Sequence, residues 1–124
     1  MPEQRFEDVY TILRSMMKSF SDSLVVKADS KDGLMLVGPN PDIKGRELFF
    51  GGVQIKKNYV SYHLMTVYMN PGLLAEISPE LRKRMQGKSC FNFKKVDEEL
   101  FAELGNLTQK GLVWFVENAE KLVY

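Results

Sequence analysis

Residues Tyr59–Lys95 read YVSYHLMTVYMNPGLLAEISPELRKRMQGKSCFNFKK. The stretch holds the only histidine and the only cysteine of the chain, two helix-start signals and a run of basic residues. Tyr59–Tyr68 is rich in aromatic and β-branched residues and predicts a strand. Pro71–Ile77 predicts a short helix. Ser78-Pro79-Glu80 opens another, with serine as N-cap, proline at the first helical position and an early carboxylate; Gly87 is its expected end. Ser89–Lys94, with its alternating aromatics, predicts a final strand.

Working outward, Phe6–Phe20 carries apolar groups at Phe6, Val9, Tyr10, Leu13, Met16, Met17 and Phe20, the stripe of an amphipathic helix. Leu24–Ala28 and Leu34–Gly38 flank a turn at Asp32-Gly33 and predict a hairpin. GPNPDIKG then interrupts regular structure. Leu48–Lys56 predicts a third strand, where Gly51-Gly52 implies a bulge or a close backbone approach, and Lys57-Asn58 a turn. Toward the end of the sequence, Asp97 caps a helix through Leu104, Gly105-Asn106 interrupts it, and Thr108 caps a last helix with the stripe Leu112, Phe115, Val116, Ala119 and Leu122.

Strands this short and closely spaced leave no room for parallel crossovers. The expectation is an α+β fold: one domain over residues 1–124, with an antiparallel sheet of about five strands and N- and C-terminal helices packed on one face. The other face meets water or a partner.

The chain has 17 basic and 16 acidic residues, a formal net charge of +1. That balance predicts no general nucleic-acid binding. One cysteine forms no internal disulfide, MPEQRFEDVY lacks a signal-type apolar run, and no stretch has transmembrane length, so the expected location is cytoplasmic, away from membranes. A monomer or a homodimer fits equally.

The motifs YVSYHLM, P-x-LL at Pro71 and ISPELRKRMQGKSCFNF, with the C-terminal helix, resemble the YdhG-like family of small domains of unknown function. The resemblance implies an α+β domain, frataxin-like in outline. A bacillary relative is regarded as an iron protein of iron–sulfur assembly, so the resemblance also implies iron handling as an alternative role. Such a role calls for an acidic ridge on the first helix; Glu3, Glu7 and Asp8 stand there among Arg5, Arg14 and Lys18.

Side chains alternate along a strand with a period of two. Tyr59, Ser61, His63 and Met65 therefore share one face. If Ser89, Phe91 and Phe93 face the core, Lys88, Cys90, Asn92 and Lys94 face outward. The candidate ligand-binding set is His63, Cys90, Lys88, Asn92, Gln54 and Tyr59, with Lys56 on the same outward face and Arg82 and Arg84 leaving the preceding helix nearby. Imidazole exchanges protons near neutrality, a thiol beside cations forms a thiolate, and lysine and arginine hold phosphate or carboxylate.

No paired-cysteine zinc pattern, phosphate loop or nucleophile elbow is present; GKS at Gly87–Ser89 follows a basic helix rather than a glycine-rich loop. The sequence therefore favours a small non-catalytic binding or adaptor domain for an anionic ligand or protein partner, with no cofactor. The alternatives are an iron- or other metal-handling protein and, more weakly, a thiol enzyme using Cys90 with His63.

Overall fold

The computed structural model describes residues 6–39 and 47–118. Helix α1, Phe6–Lys18, opens with Glu7 and Asp8 and closes with Lys18, charges that suit its dipole. It buries Val9, Tyr10, Leu13 and Met17. A 3₁₀ turn at Ser21–Ser23 leads to strands β1 (Val25–Asp29), β2 (Gly33–Val37), β3 (Phe49–Ile55) and β4 (Val60–Leu64). Helix α2 (Met65–Met69), a 3₁₀ turn at Pro71–Leu74 and helix α3 (Pro79–Arg82) follow. Strands β5 (Met85–Gln86) and β6 (Cys90–Phe93) precede the long helix α4, Glu98–Glu117.

The six strands form one sheet in the order β1-β2-β3-β4-β6-β5, with every neighbouring pair antiparallel. Helices α1 and α4 cover one face of it. Phe50 meets Phe115 of α4 edge to face at 5.2 Å, and Phe93 meets Phe101 at 4.9 Å. Tyr62, fully buried, shares a hydrogen bond of 2.7 Å with Thr108 Oγ1, which itself lies 2.8 Å from the Leu104 carbonyl oxygen. At the other end, Tyr10 donates to the Ser30 carbonyl at 2.9 Å and Arg14 grips the Asp29 carboxylate with two nitrogens, tying α1 to the β1–β2 hairpin.

The α+β architecture with both terminal helices on one face is as expected; four details differ. The sheet has six strands because the helix opened by Ser78 stops at Arg82, and the chain pairs again at Met85–Gln86. Gly87, at φ 83°, turns β5 into β6 instead of closing a helix: the left-handed conformation open to glycine is used for a hairpin. The strand begun near Tyr59 ends at Leu64, because the consecutive residues Thr66 and Val67 are both buried, which strand alternation beside an open face does not allow and a helix does.

Gly105 and Asn106 do not interrupt α4, and Thr108 lies inside it rather than capping it. Each glycine in a helix costs about 1 kcal/mol relative to alanine, and here the cost is offset by close packing. A Cβ on Gly105 would lie 3.1 Å from Met16 Sδ, and one on Gly111 would collide with Thr66 Oγ1 and approach its Cβ to 3.1 Å. The close approach expected at Gly51-Gly52 is present. A Cβ on Gly51 would lie 2.8 Å from both Met17 Cε and the His63 carbonyl oxygen, so the bare backbone gives α1 its seat. Ala119 and Leu122, and most of GPNPDIKG, fall outside the described residues.

Gly111→Ala is expected to lower stability by about 1–3 kcal/mol through overpacking against Thr66. Thr66→Ala in the same chain should restore part of that loss, a coupling measurable in urea unfolding of the two single variants and the double. Additive effects would show that the helix–helix notch is not the cause.

Candidate functional site

Cross-strand pairing places the site. His63 lies opposite Gly52 on one side and Cys90 on the other; Ser61 lies opposite Gln54 and Asn92 in the same way. Partners across a sheet share a face. These residues therefore stand together on the face that the helices leave uncovered, while Phe91 and Phe93 turn into the core. Leu64 N–H donates to the Ser89 carbonyl at 2.8 Å, so the adjacent His63–Cys90 pair occupies a position without backbone exchange, where side chains approach most closely.

A groove of about 490 Å³ runs over this face. Gln54, Ser61, His63, Cys90, Asn92 and Gln86 supply polar atoms. Leu34, Met35, Phe49 and Tyr59 supply apolar surface, Lys56 stands at one end, and Gly52 lowers the floor. The His63 ring is half-buried, with Nε2 2.7 Å from Ser89 Oγ and Phe49 edge-on at 4.9 Å. Burial pushes its pKa below the ordinary histidine value, which favours a neutral imidazole at neutral pH. Asn92 donates its Nδ2 to Gln86 Oε1 at 2.6 Å, and its Oδ1 is buried without a partner.

Of the residues expected at the site, His63, Cys90, Asn92, Gln54, Tyr59 and Lys56 line the groove. Lys88, Arg82 and Arg84 do not. Lys88 sits exposed on the β5–β6 turn. Arg82 remains on α3, its guanidinium 3.3 Å from the Leu74 carbonyl oxygen. Arg84 instead lines a second hollow beside the groove, with Lys83, Lys94 and Asn58; the two hollows share Tyr59, Gln86 and Asn92. Met65, expected on the same strand face as His63, starts α2.

Phe49 and Ser89 are additions. A register shift between Leu36 and Val37 leaves Phe49 on the open face and sends Phe50 into the core, a choice the apolar run LFFGG does not reveal. Ser89 precedes β6, so the alternation that paired it with Phe91 and Phe93 does not apply to it. The glycine two residues earlier was the available sign that a turn ends there.

The described cations divide sharply. Arg14 and Lys18 pair with Asp29, Lys27 with Glu47 and Lys110 with Glu76. Among the described residues, Lys31, Lys56, Lys57, Arg82, Lys83, Arg84, Lys88, Lys94 and Lys95 make no ion pair. No group of three His, Cys, Asp or Glu side chains suited to a metal ion occurs among the described residues, and Cys90 makes no hydrogen bond to His63. No described helix is long and apolar enough to cross a membrane. Compared with family models, curated proteins and solved structures, the chain gives no match.

The lone imidazole is expected to titrate below pH 6.5 in the folded protein, followed by its ring-proton NMR signals. Because the folded pKa is depressed, the unfolded chain takes up its proton first. The contribution of His63 to stability is therefore complete above about pH 6.5 and falls away as pH drops toward the folded pKa. A midpoint at or above 6.5 would contradict the desolvated environment.

Proposed function

We propose that the protein is a non-catalytic binding domain of YdhG-like type, which holds an anionic, ring-bearing ligand on its open sheet face. The observation that carries this reading is the groove itself. It is concave and mixes apolar walls with several convergent hydrogen-bonding groups. Concavity favours a small group over the flat surface of a protein partner. Lys56 at the end of the groove and Arg84 in the adjoining hollow make no ion pair among the described residues and can meet a negative charge that the near-neutral groove would not hold by itself.

Catalysis finds less support. Ser89 Oγ and His63 Nε2 form a hydroxyl–base pair, but among the described residues no third group is hydrogen-bonded to the imidazole to orient it, and none of its hydrogen bonds reaches the Cys90 thiol. The resemblance-based iron role also lacks a fitting ligand set among the described residues. On α1 only Glu7 and Asp8 are acidic, and the neighbouring Asp29 is engaged by Arg14 and Lys18, which hold its carboxyl far below the usual range. Glu3 lies outside the described residues.

A panel of small heteroaromatic phosphates and carboxylates, screened by amide NMR, is expected to shift the signals of Gly52, Gln54, Ser61, Cys90 and Asn92. Gln54→Ala and Asn92→Ala should each weaken the best ligand by about threefold to tenfold, the value of one neutral hydrogen bond. Shifts confined to other surfaces, or affinity untouched by both substitutions, would remove the groove as the site.

A further inference from the structure

We propose that the anionic ligand is single-stranded nucleic acid, its backbone lying along the cationic rim and a base entering the groove beside Tyr59. The proposal rests on the reading of the open-face groove as a ligand site, and names what that site takes.

The first observation is charge segregation. Gln54–Val96 contains eight basic and two acidic residues, a net +6, while the rest of the chain carries −5. The near-zero total conceals a strongly basic region of the kind nucleic-acid binders present. Of the described basic residues elsewhere, Arg14, Lys18, Lys27 and Lys110 pair with carboxylates and Lys31 does not, whereas none of those at the rim makes an ion pair among the described residues.

The second observation is alignment. Lys56 follows Ile55, Lys94 follows Phe93, and the Arg84 carbonyl accepts from Asn92 N–H at 2.8 Å; the pairings Ile55↔Val60 and Val60↔Phe93 bring these positions to one end of the sheet. Lys56 lines the groove of the open face, and Arg84 and Lys94 line the hollow beside it, each together with Tyr59. Lys83 joins Arg84 and Lys94 in the hollow beside the groove. The row crosses β3, β4, β6 and β5, about 15 Å at the usual strand spacing, long enough for several phosphates and too long for one.

The third observation is Tyr59, which lines both hollows and so stands between the row of charges and the groove. Cations that track a backbone, next to a ring on which a base can stack, are the elements of single-strand recognition. A duplex hides its base faces in its own stack, so a ring platform favours single strands. An acidic peptide brings charge without flat rings, and a membrane surface does not enter a concave groove. Lysines predominate at the rim, as suits a sequence-tolerant backbone contact.

The test is fluorescence anisotropy of the full chain with a labelled oligodeoxythymidylate of about a dozen nucleotides. Log affinity is expected to fall against log salt with a slope of about −3, the value for roughly four neutralised phosphates on a single strand. The triple substitution K83A/R84A/K94A should cost on the order of a hundredfold at about 0.1 M salt and flatten the slope by about 2. Tyr59→Ala should cost about tenfold and leave the slope unchanged, since it removes stacking and no charge. Lys110→Ala, on the helix that covers the other face of the sheet, should change neither.

Binding unaffected by the triple substitution, equal affinity for duplex, or preferential capture by phosphatidylserine vesicles would each overturn the proposal. If heteroaromatic phosphates still shift the groove signals while the oligonucleotide does not bind, the nucleic-acid assignment falls and the groove reading stands. If neither binds, both fall.

Discussion

Tyr62 sits at the middle of β4 with its ring fully buried and its hydroxyl 2.7 Å from Thr108 Oγ1 on α4. Burial pushes the phenol well above its ordinary pKa, so this contact is one between neutral groups inside the apolar layer. It decides which side of the sheet is inside. With Tyr62 held inward, alternation turns His63 and Ser61 outward, and pairing with β3 and β6 carries Gln54, Cys90 and Asn92 with them. The composition of the open face is thus set by a bond made on the opposite one. A shift of β4 by one residue would exchange the two faces and bury the imidazole in place of the phenol.

The two long helices reach the sheet and each other through notches lacking side chains. Gly51 admits Met17, Gly105 admits Met16, and Gly111 admits Thr66. Below them α3 is held by Glu103, whose carboxylate accepts from the Ser78 backbone N–H at 2.6 Å and its hydroxyl at 2.7 Å. That clamp fixes the start of the short β5 and with it the place of Lys83 and Arg84. The cationic rim is therefore supported from the core side, and its side chains alone extend into solvent.

Much of this was legible in the residues. Alternation in VSYHL and CFNF separated the inward aromatics from His63, Cys90 and Asn92, and no adjacent element obscured the pattern. What was not legible depended on contacts remote in sequence. Gly105 reads as a breaker until Met16 lies against it, and Thr108 reads as a cap until Tyr62 reaches it. Phe49 and Phe50 are equivalent in an apolar run; the register shift opposite them separates their faces. The basic residues of helix and strand looked scattered, and summed to almost nothing against distant carboxylates. Antiparallel pairing brought Lys56, Lys94 and Arg84 to one end of the sheet, and no count of charges registers that.

The sulfur-bearing seats of α1 also bear on oxidative chemistry. Met17 is fully buried with its terminal methyl and sulfur against the bare Gly51 backbone, and Met16 sets its sulfur against Gly105. A sulfoxide oxygen is polar and bulky, and the fully buried Met17 sits in an apolar layer that does not suit it. Oxidant that reached these thioethers would lift the first helix from the sheet, a lesion distinct from oxidation of Met35 or Cys90 in the groove. Damage of that kind would be felt as loosened architecture, repairable by methionine sulfoxide reduction, and not as a poisoned site.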